Sequence, residues 1–217
     1  MIKDNSIFSI WKPCNLSSFD VIRKVKRLTK IKKIGHAGTL DPFAEGVLVI
    51  CTGNKTSESS SIMQSKKQYT ATLKLGALTD TLDTEGEIIN RKDVPNLTDD
   101  IIHKSLSMFV GTIDQRPPFF SAVKMKGIPL YKYARDDIFI RVKKRPVQVY
   151  SIELISYNQS TLVLDITCGK GTYIRSLGSD IASSLGTVGY LSALSRDRIG
   201  TFYKQNSIKY EEISGSS

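Results

Sequence analysis

The chain has 217 residues, 40% of them hydrophobic and 24% charged, which is ordinary for a globular protein and enough to bury a sizeable core. Lys and Arg total 31 against 21 Asp and Glu, and the net charge of +10 points to a polyanionic partner, either nucleic acid or an anionic surface. No apolar run approaches the ~18–20 residues of a membrane span, and Met1-Ile2-Lys3-Asp4-Asn5 carries no apolar signal region. Cys14, Cys51 and Cys168 are widely spaced without a CxxC pair, and His36 and His103 lie far apart. A disulfide framework, a metal site and a membrane partner are therefore not expected.

Taken in chain order, Phe19, Ile22, Val25 and Leu28 fall at helical spacing and predict a helix over 19–28 with Ser18 as its N-cap. Its other face carries Arg23, Lys24, Lys26 and Arg27 and leads into Lys30, Lys32 and Lys33. This is either a solvated face or a phosphate-contacting one, and its continuation into the loop at Gly35 favours the second. Residues 46–51 read as a buried strand, and 70–75 alternate with Ala71, Leu73 and Leu75 on one face. Thr98 is placed to cap a helix containing Ile101, Ile102, Leu106 and Phe109 that ends at Gly111. Strands with one core face each are expected at 147–149, 152–154 and 162–166. Ile174, Leu177, Ile181 and Leu185 form the stripe of a last helix, stopped by Gly186. Strands and helices mix without a βαβ rhythm, which predicts an α+β fold. No repeat or long linker interrupts the chain, so one domain over 1–213 is expected, with 214–217 a flexible tail.

A second basic cluster, Arg141-Val142-Lys143-Lys144-Arg145, follows a stretch holding Lys124, Lys126, Tyr131, Lys132, Tyr133 and Arg135. Cations interleaved with rings suit RNA, where phosphates meet charge and unstacked bases meet aromatics. A charged surface strand fits this segment equally well.

The segment Gly35-His36-Ala37-Gly38-Thr39-Leu40-Asp41-Pro42 is the strongest candidate for chemistry. Gly35 and Gly38 allow close backbone approach or positive φ. Pro42 disfavours the α region for Asp41, and the strand that follows anchors the loop. A single carboxylate is thereby presented at the edge of a cleft. Alone, Asp-Pro would read as a turn.

Within its surroundings, the segment 35–50 resembles the signature of bacterial tRNA pseudouridine-55 synthases of the TruB type. Four further blocks resemble that family in order: Lys12-Pro13 with Ser17-Ser18; Tyr69, Leu75-Gly76 and Thr79-Asp80-Thr81-Leu82-Asp83 with Gly86; Gln115-Arg116-Pro117-Pro118 with Ser121-Ala122, Lys124 and Leu130-Tyr131, Tyr133-Ala134-Arg135; and the run from Gly169 through Tyr173-Ile174-Arg175 to Leu177. The sequence departs from the family in Asn15, where a Gly is usual, in Ser195, where an Arg is usual, and in Ser57, where a Lys is usual and Lys55 stands nearby.

The resemblance implies a pseudouridine synthase catalytic fold: a mixed, mostly antiparallel central sheet flanked by helices and RNA-binding loops, with about 111–145 an RNA-binding insertion. It implies isomerisation of uridine 55 in the T stem-loop of tRNA, with the base flipped out, its glycosidic bond cleaved and a carbon bond formed in its place. No cofactor or metal is implied. Asp41 matches the catalytic carboxylate, as nucleophile or as base toward the sugar. Arg175 matches an arginine that pairs with it and favours its ionised form. Tyr69 matches a residue that stacks on the flipped base, or is a core aromatic. His36 matches one that takes the place of the base, or is a locally bonded loop histidine. Leu194 aligns with an apolar pocket residue or is plain core. Asp83 aligns with a polar residue near the uracil edge or is a turn residue. Lys12 is a candidate for phosphate contact or support of the site. Lys124, Arg141, Lys143, Lys144 and Arg145 are the candidates for the RNA backbone. A monomer in the bacterial cytoplasm is the implied form; typical members also carry a C-terminal PUA domain, which is not expected within this sequence, either because the protein naturally lacks it or because the sequence has been cut before it. A tRNA-binding chaperone with vestigial catalysis is the alternative, and a generic basic nucleic-acid binder is what composition alone supports.

Overall fold

The computed structural model describes residues 2–136, 138, 140 and 142–214. The elements are β1 (Ile7–Lys12), α1 (Ser18–Thr29), β2 (Ile34–His36), β3 (Glu45–Thr52), α2 (Ser59–Gln64), β4 (Lys67–Leu75), β5 (Ala77–Thr79), β6 (Ile88–Arg91), α3 (Asp99–Ser107), β7 (Gly111–Gln115), β8 (Lys124–Met125), β9 (Ile128–Pro129), α4 (Leu130–Arg135), β10 (Arg145–Asn158), β11 (Thr161–Cys168), α5 (Ile174–Ser184), β12 (Gly189–Ile199), β13 (Phe202–Tyr203) and β14 (Ile208–Lys209). The chain divides into two compact units: Met1–Thr70 with Leu194–Ser217, and Ala71–Ala193. Strands β4 and β12 contribute residues to both.

In the first unit the strands run in the order β14-β1-β3-β12-β4, with β2 beside β3 and β13 beside β12. β1 and β2 are antiparallel to β3, whereas β12 is parallel to it. The uninterrupted apolar run of β3 has a simple cause: both of its faces are covered. Leu48 and Ile50 pack with Ile10 and with Val21, Ile22 and Val25 of α1. Val47 and Val49 pack on the opposite face with Ala37 and Ile199. Each such side chain contributes about 1.5–3 kcal/mol by leaving water. Ile213 belongs to the α1 cluster, so the ordered fold reaches almost to the tail; residues 215–217 of the expected flexible tail lie outside the described residues.

The second unit has the order β12-β4-β11-β10-β7. β10 is antiparallel to both β11 and β7. The alternation read at 70–75 begins earlier, at Lys67, and puts Ala71, Leu73 and Leu75 inside. The strands expected at 147–149 and 152–154 are one strand, β10, with register irregularities at Val149/Ser151 and Leu154/Ser156. α5 buries Ile174, Leu177 and Ile181, as its stripe predicts. It approaches β12 closely because Gly178 has no side chain: a Cβ there would lie 3.0 Å from Leu191 Cδ2. The result is a mixed, mostly antiparallel sheet with helices, as expected.

The N-terminus of α1 differs from the expectation by one residue. Ser17, not Ser18, is the N-cap. Its Oγ accepts from the Asp20 amide at 3.2 Å, and its own amide donates to Asp20 Oδ2 at 2.8 Å, closing a capping box. The Ser17 hydroxyl, which donates to Oδ2 at 2.5 Å, followed by the Arg23 guanidinium and the Ser17 amide, holds the Asp20 carboxyl down to about 2. Ser18 lies inside the helix, buried, and does something else, described below. Replacing the cap by Ser17→Ala is expected to destabilise the protein by about 1 kcal/mol in urea unfolding; no change in the midpoint would mean that the box is not formed in solution.

Candidate functional site

Asp41 stands in the link between β2 and β3, a stretch with no regular ladder to satisfy its backbone groups. Side chains and neighbouring strands satisfy them instead. On the N-terminal side, the Ala37 amide donates to the Val49 carbonyl at 2.9 Å. Ser18, freed from capping, accepts from the Leu40 amide at 2.9 Å and donates to the Leu40 carbonyl at 3.1 Å. The Arg196 guanidinium, 2% exposed, donates to the carbonyls of Gly38 at 3.1 Å and Thr39 at 3.0 Å, and to Val47 at 2.9 Å. On the C-terminal side, the Lys12 ammonium, 0% exposed, donates to Ala44 at 2.6 Å, Leu16 at 2.7 Å, Pro13 at 2.9 Å and Pro42 at 3.4 Å. The Asn15 amide adds a bond to the Pro42 carbonyl at 2.8 Å. Asp41 is thus fastened from both sides by a buried cation satisfied by carbonyl oxygens. A desolvated charge needs such partners, and several at once hold it in one place.

Of the two roles expected for Lys12, phosphate contact or support of the site, these contacts fit the second. Lys12 supports the loop; its ammonium is sealed among carbonyls and is not placed for a phosphate. Arg196 was not singled out from the sequence, because its partners are backbone oxygens more than 140 positions away and leave no side-chain pattern. The adjacent Gly46 was a faint signal. Its φ is +130°, and a Cβ there would lie 2.6 Å from the backbone nitrogen of Arg196, so only glycine lets β12 run beside β3 at this point. Asn15, where the resemblance expects glycine, has φ +63°, a left-handed conformation that Asn tolerates better than most residues.

His36 ends β2, opposite Ile50. Burial, and then the charge of Arg196, lower its pKa below the ordinary value of 6.5. The imidazole is therefore neutral at pH 7. It meets the Phe19 ring edge-on at 6.2 Å, and its Nδ1 has no hydrogen-bond partner among the described residues. Tyr69 is on the inward face of β4 and 6% exposed; Leu194 on β12 is likewise 6% exposed. Both are buried, as core or pocket residues alike would be. Ser195, the departure from the expected Arg, donates to Asp197 at 2.7 Å. Lys55 pairs with Glu58 at 2.6 Å on the surface.

In the second unit, Arg175 sits in the first turn of α5. Its Nη1 lies 3.2 Å from Asp83 Oδ2 and donates to the Thr81 carbonyl at 2.7 Å, and its Nη2 donates to the Phe120 carbonyl at 2.9 Å. Asp83 is 1% exposed and also accepts from Thr81 Oγ1 at 2.6 Å and the Glu85 amide at 2.9 Å. Within its own unit the carboxylate that Arg175 meets is Asp83, a partner that the sequence did not suggest. Gln115 sets the start of this helix: its side chain accepts from the Tyr173 amide at 2.8 Å and donates to the Tyr173 carbonyl at 3.0 Å. Lys124, Lys143, Lys144 and Arg145 are exposed; Arg145 opens β10 at its pairing with Gln115 of β7. Arg141 lies outside the described residues. Among those described, no three His, Cys, Asp or Glu side chains gather as a metal would require, and no helix is long and apolar enough to cross a membrane.

A family model described as TruB family pseudouridylate synthase, N-terminal domain, matches residues 26–174. The chain belongs to the TruB family. Among curated proteins, tRNA pseudouridine synthase B of Clostridium perfringens strain 13 is 44% identical over 210 residues, which are 96% of this chain and 71% of that one. The protein of the same name from Francisella philomiragia is 44% identical over 96% of this chain and 70% of its own length. Among solved structures, a chain in the crystal structure of a Cbf5–Nop10–Gar1 complex superimposes with a TM-score of 0.74 at 27% identity, over 95% of this chain and 52% of that chain. The pseudouridine synthase fold implied by the sequence is therefore the fold of this TruB family member.

The clamp on Asp41 has a measurable consequence. Arg196→Lys keeps the charge but supplies one nitrogen where the guanidinium supplies three. Amide exchange at 38–40 is expected to accelerate and turnover to fall by at least about 10-fold, with a smaller effect on substrate affinity, because a misplaced catalytic group costs rate. Unchanged turnover would mean that Ser18 and Lys12 hold the loop without Arg196.

Proposed function

We propose that the protein isomerises uridine 55 in the T stem-loop of tRNA to pseudouridine, acting on a flipped-out base with Asp41 as the catalytic carboxylate. The observation that carries the reading is the loop itself: a single carboxylate, half-buried, on a segment held on both sides by Arg196 and Lys12. Rigid placement is what attack at, or proton removal from, one position of a ribose demands. The names of the relatives at 44% identity, tRNA pseudouridine synthase B, support tRNA as the substrate. The bond from nitrogen to the sugar breaks and a bond from carbon replaces it, so the product is an isomer and the chemistry needs positioning more than a reagent.

The remaining roles follow from the resemblance and from placement. Tyr69 and Leu194 are assigned to the base, and neutral His36 to the space that the base leaves. Arg175 and Asp83, a buried pair, are assigned to organising charge around the reacting uridine. Lys124, Arg141, Lys143, Lys144 and Arg145 are assigned to the RNA backbone, within an RNA-binding segment of about 111–145. The protein acts as a monomer in the cytoplasm.

Asp41→Asn is expected to bind an unmodified T stem-loop as the wild type does but to form no pseudouridine, read by carbodiimide mapping; full activity in this variant would remove Asp41 from the chemistry. Neutralising Lys143, Lys144 and Arg145 together is expected to weaken binding and to reduce the slope of log Kd against log salt by about 2, for three lost contacts at ~0.7 each on single-stranded RNA. An unchanged slope would place the RNA elsewhere.

A further inference from the structure

Phe19 is 69% exposed, more than any other large apolar side chain among the described residues. Its neighbours on α1 behave otherwise: Val21, Ile22 and Val25 are buried in the core. The fold gains little from a phenyl ring left in water, and an exposed aromatic of this kind is the informative exception to ordinary burial. The ring is not isolated, since it stands 6.2 Å from the imidazole of His36, at the entrance to the loop that carries Asp41.

A line of cations continues from it. Arg23, Lys26, Arg27 and Lys30, at i+4, i+7, i+8 and i+11 from Phe19, share its side of the helix and are exposed. At ~1.5 Å per residue the stripe extends roughly 16 Å, the reach of a few nucleotides. Arg23 pairs with Asp20. Lys26, Arg27 and Lys30 have no acidic partner among the described residues. Alongside the stripe runs an open groove of about 420 Å³ lined by Leu16, Asp20, Arg23, Lys24, Arg27 and Tyr210. Lys24 donates to the Tyr210 carbonyl at 2.6 Å and covers its ring at 3.9 Å, so one wall of the groove is fixed. An aromatic at one end, positive charge along the rest that exceeds the single Asp20 carboxylate beside it, and an adjoining groove match a nucleotide strand: a base for the ring and phosphates for the cations.

We propose that this face of α1 docks unpaired nucleotides of the RNA substrate, with Phe19 stacking on a base next to His36 and with Arg23, Lys26, Arg27 and Lys30 neutralising the phosphates that follow. The proposal rests on the RNA-modifying reading above. Phe19 offers no hydrogen bond, so it supplies affinity and placement without reading sequence. Cations matched to phosphates fix the direction in which the strand leaves the loop.

The test uses the full chain and an unmodified T stem-loop, first as it stands and then with 2-aminopurine substituted in turn at its unpaired positions. Phe19→Ala is expected to raise Kd and KM by about 10-fold, within the range for loss of one base–aromatic stack. The salt slope stays where it was, because no phosphate contact is lost. Phe19→Trp restores binding to within about 2-fold. At one position the 2-aminopurine fluorescence is quenched by the wild type and not by Phe19→Ala. The double variant Lys26→Gln, Arg27→Gln is expected to lower the slope by about 1.4. A Phe19→Ala protein with unchanged Kd and unchanged quenching overturns the docking surface. A loss confined to turnover, with Kd intact, overturns it equally. If the wild type neither binds nor modifies the stem-loop, the RNA-modifying reading fails first and the surface falls with it. If the wild type is active while Phe19→Ala binds as tightly, only the surface is lost.

Discussion

Two buried cations that bond to backbone oxygens are the arrangement on which the first unit depends. The guanidinium of Arg196 and the ammonium of Lys12 are both removed from water, and together they take up carbonyls on either side of Asp41. The need is mutual. A link outside helix and sheet leaves carbonyls without donors, and a desolvated cation costs several kcal/mol unless acceptors surround it. Each solves the other's problem, and the geometry that does so leaves the loop little freedom. The rigidity that a strand would have provided is thus obtained without a strand. The carboxylate between the two cations stays half-exposed.

The second unit uses the same logic with a different pair. Arg175 and Asp83 are each at most 5% exposed, and the carbonyls of Thr81 and Phe120 share the guanidinium with the carboxylate. Around them the backbone is arranged accordingly: Gln115 holds the start of α5, and a parallel bridge ties Asp83 to Leu191 of β12. Removing one partner would strand the other charge in a dry environment, so the pair stands or falls together. Asp41, Arg175 and Asp83 are therefore presented by side-chain-to-backbone networks, each local to its own unit.

Much of this was legible in the residue order, and what was not shares a physical cause. Periodic signals survived: the stripe of α5, the alternation of β4, and the unbroken apolar run of β3, which is apolar because α1 covers one face and Ile199 and Ala37 the other. β10 read as two strands because irregularities at Val149/Ser151 and Leu154/Ser156 reset its inside–outside alternation. The cap of α1 was misplaced by one residue because Ser17 and Ser18 are chemically equivalent in sequence; only Asp20, three residues after Ser17, distinguishes them. Asp41 was legible through a motif spanning many positions. Arg196 was not, since an arginine that bonds to carbonyls imposes no requirement on the side chains of its partners. Lys12 was legible through its place in a motif, but only its burial among carbonyls distinguishes support of the loop from phosphate contact, and burial cannot be read from one residue.

The long separation between the loop and its clamp also sets an order of events at synthesis. Thr39 precedes Arg196 by 157 residues, and the first unit is assembled from both ends of the chain. At ~5–20 residues per second, roughly 8–30 s pass on the ribosome between the appearance of the loop and that of the arginine that holds it. Through that interval residues 71–193 emerge and are free to fold, while the Asp41 segment is fastened by its local partners, Ser18, Lys12, Asn15 and Val49, without the guanidinium. The finished loop thus waits on β12, and a nascent chain released before that strand carries the carboxylate with only part of its clamp.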